Sequence, residues 1–410
     1  MPERIGTGSH MAGRVRVVVA ALLGFAVLTA SACTSSEAAE PEEKPAKQDD
    51  RTPGKEEPKQ PVSLTMSPKD KAANVAPGAP ITVAAIGGKI TKVVLTNDNG
   101  EPVKGSLSPD ASTWQVAEPL GYGRTYRATA TATSEDGKPT TLRSSFTTVE
   151  PRLKADVDMN PLDGQTVGVG QPLAFYFDVD IANKAAAEKA IQISSTPHVA
   201  GAFYWYSDSE VHWRPRNYWP AGTKVSVKAA IYGKDFGGGV FGNEDRVANV
   251  NVGKSVVAVA DGKTHQMKVT VNGKLARKIP ISMGKPGHET PYGTYVVMSE
   301  HSPYTMDSST YGVPADSPAG YRTMVEVASR ISNSGVFYHS APWSVGDQGY
   351  RNVSHGCINM STANAAWLQS ISNKGDIVVV KKSGGPRLES WDGLGDWQIP
   401  WKEWLKGGQK

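Results

Sequence analysis

Tyr126-Arg127-Ala128-Thr129-Ala130-Thr131-Ala132 alternates apolar or small side chains with polar ones without a break. A period of two puts one set of side chains on a buried sheet face and the other in water, so this stretch is a half-buried strand rather than a helix. Upstream, Val93-Val94-Leu95-Thr96 runs into the turn cluster Asn97-Asp98-Asn99-Gly100, and helical periodicity is absent around it. Short alternating strands with closely spaced turns predict an immunoglobulin-like β-sandwich over residues 62–150, without the paired cysteines of antibody domains.

The plan recurs over residues 151–253. Met66-Ser67-Pro68 matches Met159-Asn160-Pro161, and Trp114 matches Trp213, at offsets of 93 and 99 residues. Each Met-x-Pro is followed by a Gly-x-Pro turn at Gly78 or Gly170, which points to a duplicated domain with small insertions. The Ala/Lys/Glu-rich stretch Ala182 to Ala190 departs from the plan and predicts a short helix.

From Lys254 the texture changes, and residues 254–382 read as a third, β-rich domain. Val256 to Ala260 alternates, Met267 to Val271 leads into the hairpin signal Asn272-Gly273, and β segments follow at Ile279–Met283, Gly293–Met298, Gly335–Tyr338 and Ile377–Val380. Ser361 to Asn373 predicts one helix, with Ala365, Ala366, Leu368 and Ile371 for its buried side. Glu300 to Ile331, rich in Ser, Pro, Tyr and Gly, reads as a long lid or binding loop. Residues 383–410 hold Trp391, Trp397, Trp401 and Trp404, too apolar for a free tail, and predict a subdomain packed on the domain before it.

At the other end, Arg14 and Arg16 precede the apolar run Val17 to Leu28 and the small residues Ala30-Ser31-Ala32 before Cys33. A basic flank, a short apolar core and a small-residue exit make residues 1–33 an export signal. The run into Cys33 resembles a lipobox, whose cysteine is lipidated and anchors the chain to a membrane; plain cleavage or a retained signal anchor are the alternatives. Residues 34–61, rich in Glu, Lys, Pro and Ala, cannot bury enough surface to order and read as a disordered tether. The net charge of +4 is small and no basic face stands out, which argues against nucleic acid as a partner.

Beyond Cys33 the chain holds one thiol, Cys357, within Ser354-His355-Gly356-Cys357-Ile358-Asn359, and His339-Ser340 lies shortly before it. A nearby imidazole can take a thiol's proton, and main-chain N–H groups around a cysteine entering a helix can face a developing oxyanion. The residue types leave three readings of Cys357 open: a nucleophile, an inert buried thiol, or a zinc ligand with His339 and His355 that lacks a fourth partner. His265, His288 and His301 read as solvated loop residues.

His339, fourteen intervening residues and then Ser-His-Gly-Cys-Ile-Asn, with Ser282-Met283-Gly284-Lys285 and Thr290-Pro291-Tyr292-Gly293 upstream, resembles the catalytic domain of the L,D-transpeptidases. The flanking β domains, lipobox and Trp-rich tail are similar to the mycobacterial type. The resemblance implies a mainly β fold in which two immunoglobulin-like sandwiches precede a YkuD-type catalytic domain. It implies peptidoglycan stem peptides as substrates, no cofactor or metal, and carbapenem β-lactams as covalent inhibitors. Cys357 would be the nucleophile and His339 the base, oriented by the Ser340 carbonyl. His355, Gly356 and Cys357 would supply oxyanion amides, and Tyr321, Met306, Tyr311, Trp343, Ser354 and Asn359 would bind substrate. The expected location is the outer side of the cell membrane, facing the wall. An L,D-carboxypeptidase, a lipoprotein-to-wall attachment enzyme and a non-catalytic wall scaffold are the alternatives.

Overall fold

A computed structural model describes residues 61–318 and 320–409. The signal, Cys33 and all but the last residue of the tether lie outside the described residues.

Residues 63–148 form two four-stranded sheets facing each other. The alternating strand Thr125–Ser134 lies at the centre of one of them, with Tyr126, Ala128, Ala130 and Ala132 buried and the residues between them facing outward. Its partners are Gly88–Thr96 and Pro139–Thr148. A second pair of four-stranded sheets follows between Val157 and Val252. The two sandwiches share one packing device. A Cβ on Gly105 would stand 2.0 Å from the Trp114 ring, and one on Gly201 would stand 2.3 Å from the Trp213 ring, each across a strand pair. The repeated tryptophan is therefore seated on a neighbouring glycine, and both indoles are buried core. The helix expected near residues 182–190 forms at Lys184–Ala190, with the Asn183 side chain accepting from the Ala186 N–H as its cap.

The third region is built on a five-stranded sheet. Val256–Asp261 pairs antiparallel with Gln266–Val271 and parallel with Ile377–Lys381. Asn272 and Gly273 both take positive φ, as a two-residue hairpin turn requires. A smaller sheet carries Phe337–Ser340 between Ala328–Arg330 and Ile358–Met360. The helix Thr362–Ile371 is capped by Ser361 and buries Ala365 and Leu368; Ala366, expected inside, faces solvent. Half-buried Trp367 lies instead under the Arg277 guanidinium, 3.9 Å from the ring centre.

Two expectations are corrected. Residues 300–331 are not structureless: Tyr304–Asp307 and Arg322–Val325 pair as an antiparallel ribbon, and Ser299–His301 pairs with Ala328–Arg330. The Trp-rich tail packs only in part on the domain before it. Leu388 joins that domain's core and Asp392 accepts from Ser334, but Trp397 and Trp404 donate to the carbonyls of Gly170 and Ala202 in the second sandwich. Arg214 of that sandwich lies 4.3 to 5.3 Å from the ring centres of Trp397, Trp401 and Trp404. A guanidinium over indole faces gives these rings an attractive partner in the second sandwich. The tail thereby straps the third domain to the second sandwich. The strap is reinforced where the Gly168 and Gly170 N–H groups donate to the carbonyls of Lys374 and Gly375, an approach that leaves no room for a side chain at either glycine.

Candidate active site

The site forms where Phe337–Ser340 runs parallel to Ile358–Met360, with His339 opposite Asn359. Val336, Phe337 and Tyr338, all buried, lead into His339 and fix it on a rigid element. The Ser340 hydroxyl accepts the N–H groups of Glu326 and Val327 and pins the strand's end. Its carbonyl accepts the Nδ1–H of His339 at 2.9 Å, so Nε2 is left unprotonated and able to take a proton.

Cys357 precedes a strand, not a helix; the helix starts only at Thr362, because residues 358–360 are held in the sheet. What shapes the Cys357 loop is a set of hydroxyls. Ser354 Oγ donates to the Cys357 carbonyl at 2.6 Å and accepts the Gly356 N–H at 3.1 Å. Thr290 Oγ1 donates to the Gly356 carbonyl at 2.8 Å and accepts from the Gly284 N–H. Gly356 has φ +121°, which an L side chain rarely adopts. The Gly356 amide, expected to face an oxyanion, is thus turned onto Ser354 in this conformation.

A cavity of about 340 Å³ opens over the pair and is lined by Cys357, His339, Asn359 and Ser354, with Trp343 and His355 beside them and Met306 and Tyr321 from the ribbon. Met306 is buried, whereas the Trp343 ring, 6.0 Å from that of His339, is largely exposed. Tyr311 does not line this cavity. It lines a second one of about 140 Å³ with Gly335, Gly356 and His288, and Tyr321 and His355 border both. The Cys357 thiol points at the Gly335 carbonyl, 3.5 Å away.

Burial dominates the electrostatics. It pushes the Cys357 thiol up to about 11, against the opposing pull of the Phe337 N–H. It pushes His339 down to about 4, against the Ser340 carbonyl and Asn359, which favour the charged ring. The resting pair is therefore a neutral thiol and a neutral imidazole.

Thr290 was missed as a site residue, since nothing local says that its hydroxyl reaches a loop 66 residues away. The three histidines read as solvated are partnered: His265 with Asn352, His301 stacked on Tyr304, and His288 against His355.

A buried cysteine beside a tautomer-fixed histidine, on a β-rich domain behind two immunoglobulin-like sandwiches, defines a class. The L,D-transpeptidase catalytic domain family matches residues 255–380, and the bacterial Ig domain family matches residues 72–235. L,D-transpeptidase 2 of Mycobacterium tuberculosis is 47% identical over 347 residues, covering 85% of each chain. L,D-transpeptidase 5 of the same species is 38% identical, covering 83% of this chain and 76% of its own. A solved structure of an L,D-transpeptidase, LdtMt1, in complex with imipenem is 37% identical, covers 56% of this chain and 100% of its own, and has a TM-score of 0.49. The chain belongs to the L,D-transpeptidases.

Proposed function

We propose that this enzyme forms 3→3 cross-links between peptidoglycan stem peptides through a thioester on Cys357. The observation that carries the reading is the buried Cys357–His339 pair facing one cavity, with His339 Nδ1 committed to a carbonyl. Cys357 Sγ attacks the carbonyl carbon of the third residue, meso-diaminopimelate, of a tetrapeptide donor while its proton passes to His339 Nε2. The amides of His355 and Cys357 hold the oxyanion, with that of Gly356 once Ser354 releases it. The C–N bond to the terminal D-Ala breaks and the proton leaves with the amine. The side-chain amine of a second stem's diaminopimelate then attacks the thioester, its proton goes to Nε2, and Sγ departs to recover it. Carbapenems acylate the same sulfur as their β-lactam C–N bond opens. Met306, Tyr321, Trp343, Ser354 and Asn359 position the donor. The enzyme acts outside the membrane, held by a lipid on Cys33 or by an uncleaved signal, with the sandwiches as a stalk toward the wall.

The proton affinities decide how the thiol is activated. Burial raises the thiol and lowers the imidazole, and both shifts disfavour a standing thiolate–imidazolium pair before substrate binds. The proton must move as sulfur attacks, in a site that substrate has closed. His339 is competent when neutral, so carbapenem acylation is expected to stay flat from about pH 5 to pH 9 and to fall toward pH 4 as the ring protonates. Stopped-flow acylation across this range checks it; an acid limb near neutrality would contradict the neutral resting pair.

Intact-mass spectrometry with a tetrapeptide donor tests the function. Dimers with D-Ala release support transfer, and tripeptide without dimer indicates an L,D-carboxypeptidase. Transfer only to a lipoprotein amine indicates wall attachment, and unmodified protein with intact substrate indicates a scaffold.

A further inference from the structure

Loop 284–290 is sewn to the cysteine loop: the Lys285 N–H donates to the Ser354 carbonyl, and Thr290 bridges Gly284 and Gly356. This places three basic side chains side by side. Lys285 Nζ lies 3.2 Å from His355 Nε2, and the His288 ring stands edge-on to the His355 ring at 5.0 Å between centroids. His288 and His355 line the smaller cavity, and His355 also borders the larger one that holds Cys357, so His355 stands where the two meet with Lys285 and His288 against it.

The Lys285 ammonium meets a neutral base rather than a carboxylate. Burial, Lys285 and His288 together lower the His355 pKa, so the ring accepts from the ammonium. The acids nearby are committed elsewhere. Glu289 turns its side chain toward Gly384 and Gly385, and its carboxylate is held low by the backbone N–H groups of Glu289 and Gly287 before His288 contributes. Asp307 on the ribbon accepts from Ser309 and faces Arg322, and Asp347 is paired with Arg351. The other titratable groups of the cavity, Tyr311, Tyr321 and Cys357, are pushed toward their neutral forms by burial. Among the described residues Lys285 and His355 show no carboxylate partner, and His288 shares only the charge of Glu289; an anion bound here would complete the group.

We propose that Lys285 and His288, with His355 between them, form a carboxylate-binding rim that selects the donor peptide. The inference rests on the transpeptidase reading. A tetrapeptide donor carries two carboxylates near the scissile carbonyl: that of the terminal D-Ala, one residue across the bond, and that of the diaminopimelate side chain. Either presents the chemistry the rim recognises, namely an α-carboxylate on a short aliphatic arm.

The test compares three tetrapeptide donors, read by D-Ala release: one with both carboxylates free, one with a C-terminal carboxamide, and one with a side-chain carboxamide. The parent enzyme is expected to lose at least about tenfold in kcat/KM on one of the two amides, and which one identifies the source. Lys285→Ala combined with His288→Ala is expected to bring the ratio between that amide and the free donor close to one. Lys285→Arg, which keeps the charge, is expected to retain the discrimination. Equal kcat/KM of the parent on all three donors overturns the rim, as does a double variant that discriminates like the parent. No D-Ala release from any donor would overturn the transpeptidase reading itself, which separates the two failures.

Discussion

Cys357→Ala is expected to abolish D-Ala release and cross-linking, by a factor on the order of 10⁴ to 10⁶, while leaving the fold in place. The residue is buried, 7% exposed, and alanine removes only a sulfur whose one hydrogen-bond acceptor, the Gly335 carbonyl, is 3.5 Å away. The expected stability cost is about 1 kcal/mol. Cys357→Ser separates nucleophilicity from shape. An imidazole with a pKa of about 4 is a weak base, able to accept a proton from a thiol that is itself forming a bond but poorly matched to a hydroxyl. The serine variant is therefore expected to be nearly as inactive as the alanine variant and to form no carbapenem adduct. Intact-mass spectrometry after carbapenem treatment, with thermal unfolding run beside it, reads both effects. Retained D-Ala release by the alanine variant would remove Cys357 from the reaction.

The residues that announce this chemistry are neighbours in sequence, which is why the site was legible. His339 belongs to an apolar strand, and Ser354 to Asn359 is one continuous motif. The duplicated sandwiches were legible for a similar reason: alternation reports burial directly, and Trp114 and Trp213 mark one structural position twice. What could not be read depends on contacts between segments far apart in the chain. Residues 304–307 and 322–325 look like loop because each ribbon strand is four residues long and is stabilised mainly by the other. Thr290, Lys285 and His288 become part of the site only through hydrogen bonds or ring contacts with residues about 70 positions later. The tail was misplaced because four tryptophans announce burial without saying against what; Arg214, about 180 positions earlier and unmarked by any motif, is the partner.

The strap formed by that tail has a buried electrostatic joint at its centre, and His212→Ala is expected to destabilise the protein more than Asp396→Ala. His212 Nδ1 lies 2.7 Å from Asp396 Oδ1, both side chains are at most 3% exposed, and Glu210 Oε1 lies 3.0 Å from the other ring nitrogen. Burial opposes a charged imidazole there, but Asp396 and then Glu210 outweigh it and lift His212 to about 9. If Asp396 is removed, His212 sheds its proton, which near pH 7 costs little because its ordinary value is 6.5. If His212 is removed, the Asp396 carboxylate stays buried. Arg214 commits Nη1 and Nη2 to the carbonyls of Pro215 and Ile399, which leaves only Nε to face the carboxylate. The expected losses are about 3–5 kcal/mol for His212→Ala and about 1–2 kcal/mol for Asp396→Ala. The pH dependence has a definite sign. A histidine whose folded value is raised from 6.5 to about 9 stabilises fully below pH 6.5 and loses that contribution as pH rises toward 9. Urea unfolding of parent and Asp396→Ala should therefore differ most at pH 6 and converge by pH 9. A gap that stays constant across this range, or a larger loss for Asp396→Ala than for His212→Ala, would mean that the joint is held by shape and not by the buried charge.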